Sequence, residues 1–141
     1  MDVDLRLDCS LADWTEVSEI LKRVGMAHRP PDVQKKAFEG SDLVAFAFCG
    51  GQLAGFARAI SDGSHQAALY DVAVVPEFQR RRVGSLLVQS ILSRLPNFNV
   101  VLYATPGKED FYRTLGFRKL LTGMALFPDA QTMAARGIAE P

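Results

Sequence analysis

The run AALYDVAVV (67–75) is more apolar than any other extended segment of this chain, which suits a strand buried in the middle of a sheet. It is followed by PEFQRRRVGSLLVQSILSRL and then by a second apolar run, NVVLYAT (99–105). From about Arg81 to Leu95 the side chains of Val83, Leu86, Leu87 and Ile91 recur on one face at helical spacing. Strand, helix, strand is the layout of a βαβ unit, in which a crossover helix returns the chain beside its starting strand in parallel. A parallel pair is therefore expected in whatever sheet the chain builds.

The flanking segments supply the rest of that sheet. VDLRLD alternates, with Val3, Leu5 and Leu7 on one side and Asp4, Arg6 and Asp8 on the other, and predicts a half-buried strand. SLADWTEVSEILKRVG predicts a helix capped by Ser10 or Asp13 and stopped by Gly25, with Trp14, Val17, Ile20, Leu21 and Val24 on its apolar stripe. Pro30 and Pro31 break the chain before a second helix, PDVQKKAFEG. DLVAFAFCGGQLAGFARAI reads as two strands joined at Gly50-Gly51, and SDGSHQ as a further turn with Asp62-Gly63 at its tip. Downstream, GKEDFYRTLG predicts a short helix closed by Gly116, and FRKLLTGMALF (117–127) a final strand. The tail, PDAQTMAARGIAEP, has room for one or two helical turns. With no repeat, low-complexity segment or linker, residues 1–141 are expected to form a single α/β domain with helices on both faces of a mixed sheet.

Composition excludes several classes of partner. Lys plus Arg equals Asp plus Glu, 16 against 16, whereas a polyanion-binding domain carries a basic excess, so no nucleic acid is expected. No apolar run approaches membrane-spanning length, so no membrane is expected either. MDVDLRLDCS lacks the basic and apolar regions of a secretory signal. Cys9 and Cys49 show no metal-ligand spacing and predict two ordinary thiols, with no metal. A soluble, cytoplasmic protein is the expectation.

Against that neutral background, Arg80, Arg81 and Arg82 form a local feature where a strand meets a helix. The first turn of a helix offers unbonded N–H donors and the positive end of the dipole. Gly84, in that turn, leaves backbone donors accessible. Together these features fit an anion cradle, phosphate above all. Solvated surface is the other reading of a basic helix start.

Gln79-Arg80-Arg81-Arg82-Val83-Gly84 matches the pattern Gln/Arg-x-x-Gly-x-Gly/Ala, with Arg82 in place of the first glycine, and Phe111, Tyr112, Gly116 and Phe117 supply a second element, FYxxxGF. In both motifs, and in element order over nearly the whole chain, the sequence resembles the GNAT superfamily of acetyl-CoA-dependent N-acetyltransferases. GFARAISDGSHQAALYDVAVVPEFQ also resembles the small plant and cyanobacterial members described as serotonin N-acetyltransferase-like. The resemblance implies a mostly antiparallel, twisted sheet of about six to seven strands. A side chain at position 82 is expected to need a negative φ and to point away from the phosphates.

What the resemblance implies about the site follows. Acetyl-CoA is the co-substrate. Val72, Ala73 and Val74 pair with its pantetheine arm, and the N–H groups of Gln79, Arg80, Arg81, Arg82, Val83, Gly84 and Ser85 hold its phosphates. Thr105 stands where many members have a cofactor-contacting asparagine. The backbone N–H of Val74 meets the oxyanion at a bulge of the fourth strand, and Tyr112 gives a proton to the departing thiolate. A general base is needed to free the amine lone pair. Asp71, expected on the same strand face as Ala73 and opposite Tyr70, Val72 and Val74, is the first choice, with Glu77, His28 and His65 as further candidates. Arg58 and Asp62 could orient an acceptor. Met26 to Pro31, Ser61 to His65 and the last hairpin region are expected to shape the acceptor end, and Phe46, Phe48 and Phe56 to be mostly core. The acceptor implied is a small-molecule primary amine; the alternatives are a protein lysine or N-terminus, or a non-catalytic acyl-CoA-binding module. A homodimer is also consistent with the resemblance.

Overall fold

The structure, a computed structural model, describes residues 2–141. It contains two compact units, one up to Leu102 and one from Tyr103 to Pro141.

The first unit is built on a five-stranded sheet of order β1-β2-β3-β4-β5. Its elements are β1 (Asp4–Arg6), α1 (Trp14–Arg23), α2 (Pro31–Glu39), β2 (Leu43–Cys49), β3 (Gln52–Ser61), β4 (Gln66–Val74), α3 (Val83–Leu92) and β5 (Asn99–Val101). Strands β1 to β4 pair antiparallel and β5 joins β4 in parallel, as the strand–helix–strand reading requires. Local chemistry explains the boundaries. Asp13 caps α1 by accepting from the N–H groups of Thr15 and Glu16, and Gly25 leaves the helix at φ +77°. Gly50 and Gly51, both at positive φ, turn the β2–β3 hairpin.

The two faces of the sheet carry different side chains. One presents Phe46 and Phe56, which are directly paired, to Phe38 of α2 and Trp14 of α1, with ring centroids 5.6–6.3 Å apart. Phe46 and Phe56 are fully buried and Phe48 packs at the cluster's margin, as expected for core. The other face presents Ala45, Ala47, Gly55, Ala57 and Ala59, and α3 packs against β2, β3 and β4 there. Gly55 has a specific cause: a Cβ at this position would lie 2.6 Å from the Ala73 carbonyl oxygen and 3.0 Å from Leu87 Cδ1. Small side chains on one face let the buried helix residues Val83, Leu87, Val88 and Ile91 approach the backbone.

The second unit holds α4 (Glu109–Thr114) and α5 (Ala130–Ala135). Gly116 ends the α4 turn at φ +94°, and the α5 helix fulfils the expectation of a short tail helix. The predicted strand at 117–127 does not form, and the sheet has five strands rather than six or seven. A strand needs a partner ladder, and this segment has none among the described residues. Its Leu121 and Leu126 remain 88% and 99% exposed. The strand predicted at 99–105 is likewise shorter, ending at Val101.

Candidate active site

Strand β4 is the organising element. Its parallel pairing with β5 covers only Gln66↔Asn99, Ala67↔Val100 and Ala68↔Val101. From Leu69 to Val74, β4 keeps β3 on one side and has no strand partner on the other among the described residues. Within that stretch the β3–β4 register breaks. Arg58 faces Tyr70 and Phe56 faces Ala73, so two residues, Asp71 and Val72, oppose the single Ala57. Asp71 takes φ +54°, the left-handed conformation of a bulge residue. This corrects two expectations. The bulge lies at Asp71–Val72, not at Val74, which pairs with Gly55. Asp71 and Tyr70 share a face instead of opposing each other: both reach Arg58, whose Nε donates to Asp71 Oδ2 at 2.7 Å and whose guanidinium lies 5.2 Å from the Tyr70 ring. The extra residue breaks the period-two alternation on which the expectation rested.

Beyond β4 a 3-10 turn, Pro76–Phe78, leads into the basic run. Gln79 Nε2 donates to the Val74 carbonyl at 3.1 Å and ties the run to the strand end. Arg80 and Arg82 both adopt positive φ, +63° and +65°, and the Arg81 guanidinium lies 5.9 Å from the Phe78 ring. Arg82 is the cap residue of α3 and makes no capping side-chain hydrogen bond. The first N–H bonded back into the helix is that of Leu86, to the Arg82 carbonyl at 3.0 Å, so the donors of Val83, Gly84 and Ser85 precede the helical ladder. A left-handed residue followed by helical ones turns successive N–H groups toward one side, a geometry that suits an anion.

The expected negative φ at Arg82 is therefore wrong. The turn needs the left-handed conformation whatever side chain stands there, and an L-residue adopts it at a cost of roughly 1–2 kcal/mol. Arg82→Gly removes that cost and adds glycine's entropic cost of roughly 0.5–1 kcal/mol, so a net gain of about 1 kcal/mol should raise Tm by about 2–4 °C. An unchanged or lower Tm would show that the arginine side chain compensates fully.

The candidate bases are mostly committed elsewhere. Asp62 caps its own turn, accepting from the N–H groups of Gln66, Ser64 and His65, and these hold its carboxyl at about 2. His65 lies beside it and beside Ser64. Glu77 accepts from Arg23 at 2.8 Å, which lowers its pKa. His28 lines a surface hollow with Ser18, Glu19, Lys22, Arg29, Pro30 and Pro31. Both cysteines are free; Cys49 is buried, and burial pushes the Cys9 thiol up. Among the described residues no cluster of His, Cys, Asp or Glu is suited to a metal, and no helix is long and apolar enough to cross a membrane.

In the second unit Tyr112 sits on α4, its ring 4.9 Å from Phe111 and 5.7 Å from Phe117. The FYxxxGF element is thus one packed aromatic cluster. Burial pushes the Tyr112 phenol up to about 12. The group is neutral throughout the working pH range, a hydrogen-bond donor that keeps its proton. Because the folded chain holds that proton more tightly than the unfolded one, stability is fully present below about pH 10 and falls as pH climbs toward 12. Urea titrations on either side of that window should show a loss of up to ~3 kcal/mol that is absent in Tyr112→Phe. Thr105 lies in the loop before α4, its carbonyl accepting from the Lys108 N–H at 2.9 Å.

The family model for acetyltransferases of the GNAT type matches residues 11–117. The chain belongs to the GNAT acetyltransferase family. A rice (Oryza sativa subsp. japonica) protein, serotonin N-acetyltransferase 2, chloroplastic, is 31% identical over 129 residues, covering 84% of this chain and 64% of its own length. An N-acetyltransferase called ycf52 from Gracilaria tenuistipitata var. liui is 34% identical over 115 residues, covering 77% of this chain and 63% of its own. This GNAT chain thus spans somewhat under two thirds of the length of these curated relatives. Among solved structures, the GNAT family protein SP0256 from Streptococcus pneumoniae TIGR4 shares the fold at TM-score 0.76 and 23% identity, over 89% of this chain and 98% of its own. Membership implies acetyl-CoA as the acetyl donor. What the sequence did not disclose in this candidate site is the position of the bulge, at Asp71–Val72, and the Arg58–Asp71 pair. The one available signal was a lone aspartate inside an apolar strand, since Asp is among the few residues enriched at positive φ.

Proposed function

We propose that this chain is an N-acetyltransferase that moves the acetyl group of acetyl-CoA directly to a primary amine of a small molecule, an arylalkylamine first among candidates. The observation that carries the reading is the open edge of β4 from Leu69 to Val74 leading to the uncapped start of α3. An edge strand presents N–H and C=O groups that an amide-bearing chain can pair with. The Val72 carbonyl and the main-chain groups of Ala73 and Val74 are assigned the pantetheine arm, which leaves the Val72 N–H free for another acceptor. The N–H groups from Gln79 through Arg82 to Ser85 are assigned the phosphates, with Thr105 a further polar contact. Acetyl-CoA supplies an acetyl group already activated as a thioester.

The protein's own groups then do three things. Main-chain amides orient the donor. An amide at the bulge, placed by this reading at Val72 because the ladder is interrupted there, donates to the developing oxyanion; such a donor contributes roughly 10²–10³ in rate. The neutral Tyr112 hydroxyl donates to the thiolate as it departs. The Asp71 carboxylate is ion-paired with Arg58, so the amine is assigned to reach the site already neutral or to lose its proton through water. The printed name of the rice relative supports trying arylalkylamines first.

The test is thiol release from acetyl-CoA over a panel of arylalkylamines, polyamines, amino sugars and lysine peptides. Turnover with a small amine is expected. Turnover confined to peptides would overturn the small-molecule assignment, and acetyl-CoA binding without turnover on any amine would make the chain a binding module.

A further inference from the structure

A left-handed aspartate inside strand β4 needs something to hold it there. Asp71 has no glycine-like freedom, yet its φ of +54° creates the register break on which the site depends. The residue that reaches it is Arg58 of β3, which pairs with the preceding residue, Tyr70. Arg58 Nε donates to Asp71 Oδ2 at 2.7 Å, and the two side chains are only 16% and 21% exposed. The other end of the guanidinium is fixed too. Its Nη1 donates to Ser41 Oγ at 3.3 Å, and Ser41 in turn donates to the Ala37 carbonyl in the last turn of α2. Its Cζ also lies over two aromatic rings, Phe38 at 5.7 Å and Tyr70 at 5.2 Å. Arg58 therefore connects the end of α2 to the bulge through contacts that each restrict it in a different direction. An arginine fixed by a charged acceptor, a hydroxyl and two rings loses little further freedom when it forms the pair.

We propose that Arg58 is a positioning residue: it holds Asp71 in the left-handed conformation and so sets the direction of the next amide, Val72. The inference rests on the acetyltransferase reading for its consequence in rate, but its structural part stands alone. Arg58 itself touches no reacting atom. Losing it lets Asp71 relax toward the extended conformation that L-residues favour, which rotates the peptide that follows.

The experiment compares Arg58→Met, Asp71→Gly and the double variant. Methionine keeps length and apolar packing against the rings and removes the donor. In Arg58→Met, kcat should fall by about 10–100-fold while KM for acetyl-CoA moves less than about twofold, the scale expected for a small misalignment. Glycine adopts positive φ unaided, so Asp71→Gly in the Arg58→Met background should recover most of that loss. A double variant as slow as Arg58→Met, or an Arg58→Met enzyme with unchanged kcat, overturns the proposal; the first result would also point to the Asp71 carboxylate as a reacting group. Should Arg58→Met fail to fold, Arg58→Leu, which also lacks a donor, is used in the same comparison. The Val72 amide resonance in ¹⁵N-labelled protein is read alongside: it should shift in Arg58→Met and return in the double variant. If the parent chain turns over no acetyl-CoA with any amine, the enzymatic reading falls. The resonance then decides, its shift and return supporting the strut and its immobility overturning it.

Discussion

Tyr112→Phe should lower kcat by about 10²–10³-fold and leave acetyl-CoA affinity within a factor of about two. The substitution removes one oxygen. The ring contacts to Phe111 and Phe117 remain, so α4 keeps its packing. What disappears is the donor that the proposed mechanism assigns to the thiolate. With its pKa pushed up to about 12, the phenol is a weaker acid than an alkyl thiol, which lies near ~8.5. The contribution proposed for it is therefore a hydrogen bond to developing negative charge, with the proton that finally neutralises the thiolate coming from solvent. Steady-state kinetics with calorimetric titration of acetyl-CoA separates the two parameters. Equal turnover in both proteins would remove Tyr112 from the mechanism, and lost affinity with intact kcat would make it a binding residue.

The second large effect is expected at Gly84. Gly84→Glu should weaken acetyl-CoA binding by about 10²-fold or more. Gly84 lies in the first turn of α3 and is not among the residues at positive φ, so a side chain causes no backbone strain. A carboxylate placed there would compete for the donors of the first turn and repel phosphates held where the proposed function puts them. Juxtaposed like charges cost several kcal/mol, and each ~1.4 kcal/mol is tenfold in affinity. A carboxylate near a helix N-terminus also favours the helix itself, so thermal stability should be kept or slightly raised. Unchanged affinity in a folded variant would place the phosphates elsewhere.

The elements most legible in the sequence were those whose signal is local. Asp13 before Trp14, Pro31 at the head of α2 and the Gly50-Gly51 turn each fix a boundary through the chemistry of one or two residues; the last two stand as read, and of the two caps offered for α1, Ser10 or Asp13, the structure uses Asp13. The parallel β4–β5 pair was legible because a helix between two apolar runs leaves little else to build. The failures share a different cause. FRKLLTGMALF has strand composition, but whether a strand forms depends on a partner that its own residues do not specify. At Arg82 the motif's missing glycine was read as a change of backbone, whereas the turn kept its left-handed shape and the arginine conformed to it. Asp71 was misplaced relative to Tyr70 because alternation assumes an unbroken ladder, and one extra residue defeats it. In the candidate site, residue types and order were readable in advance; the direction of each backbone amide was not.

The neighbour order of the sheet, in which every strand lies beside its predecessor in the chain, bears on how fast the fold assembles. The antiparallel β2–β3 and β3–β4 pairs are joined by tight turns and close short loops, which lowers the entropy of the conformational search and quickens folding. The two outer pairs are different, because α1 and α2 lie between β1 and β2, and the whole of α3 lies between β4 and β5. The β2–β3–β4 meander should therefore condense early, and β5, like β1, should dock late. Substitutions in Asn99–Val101 would then speed unfolding far more than they slow folding, leaving the refolding limb of a chevron plot nearly unmoved.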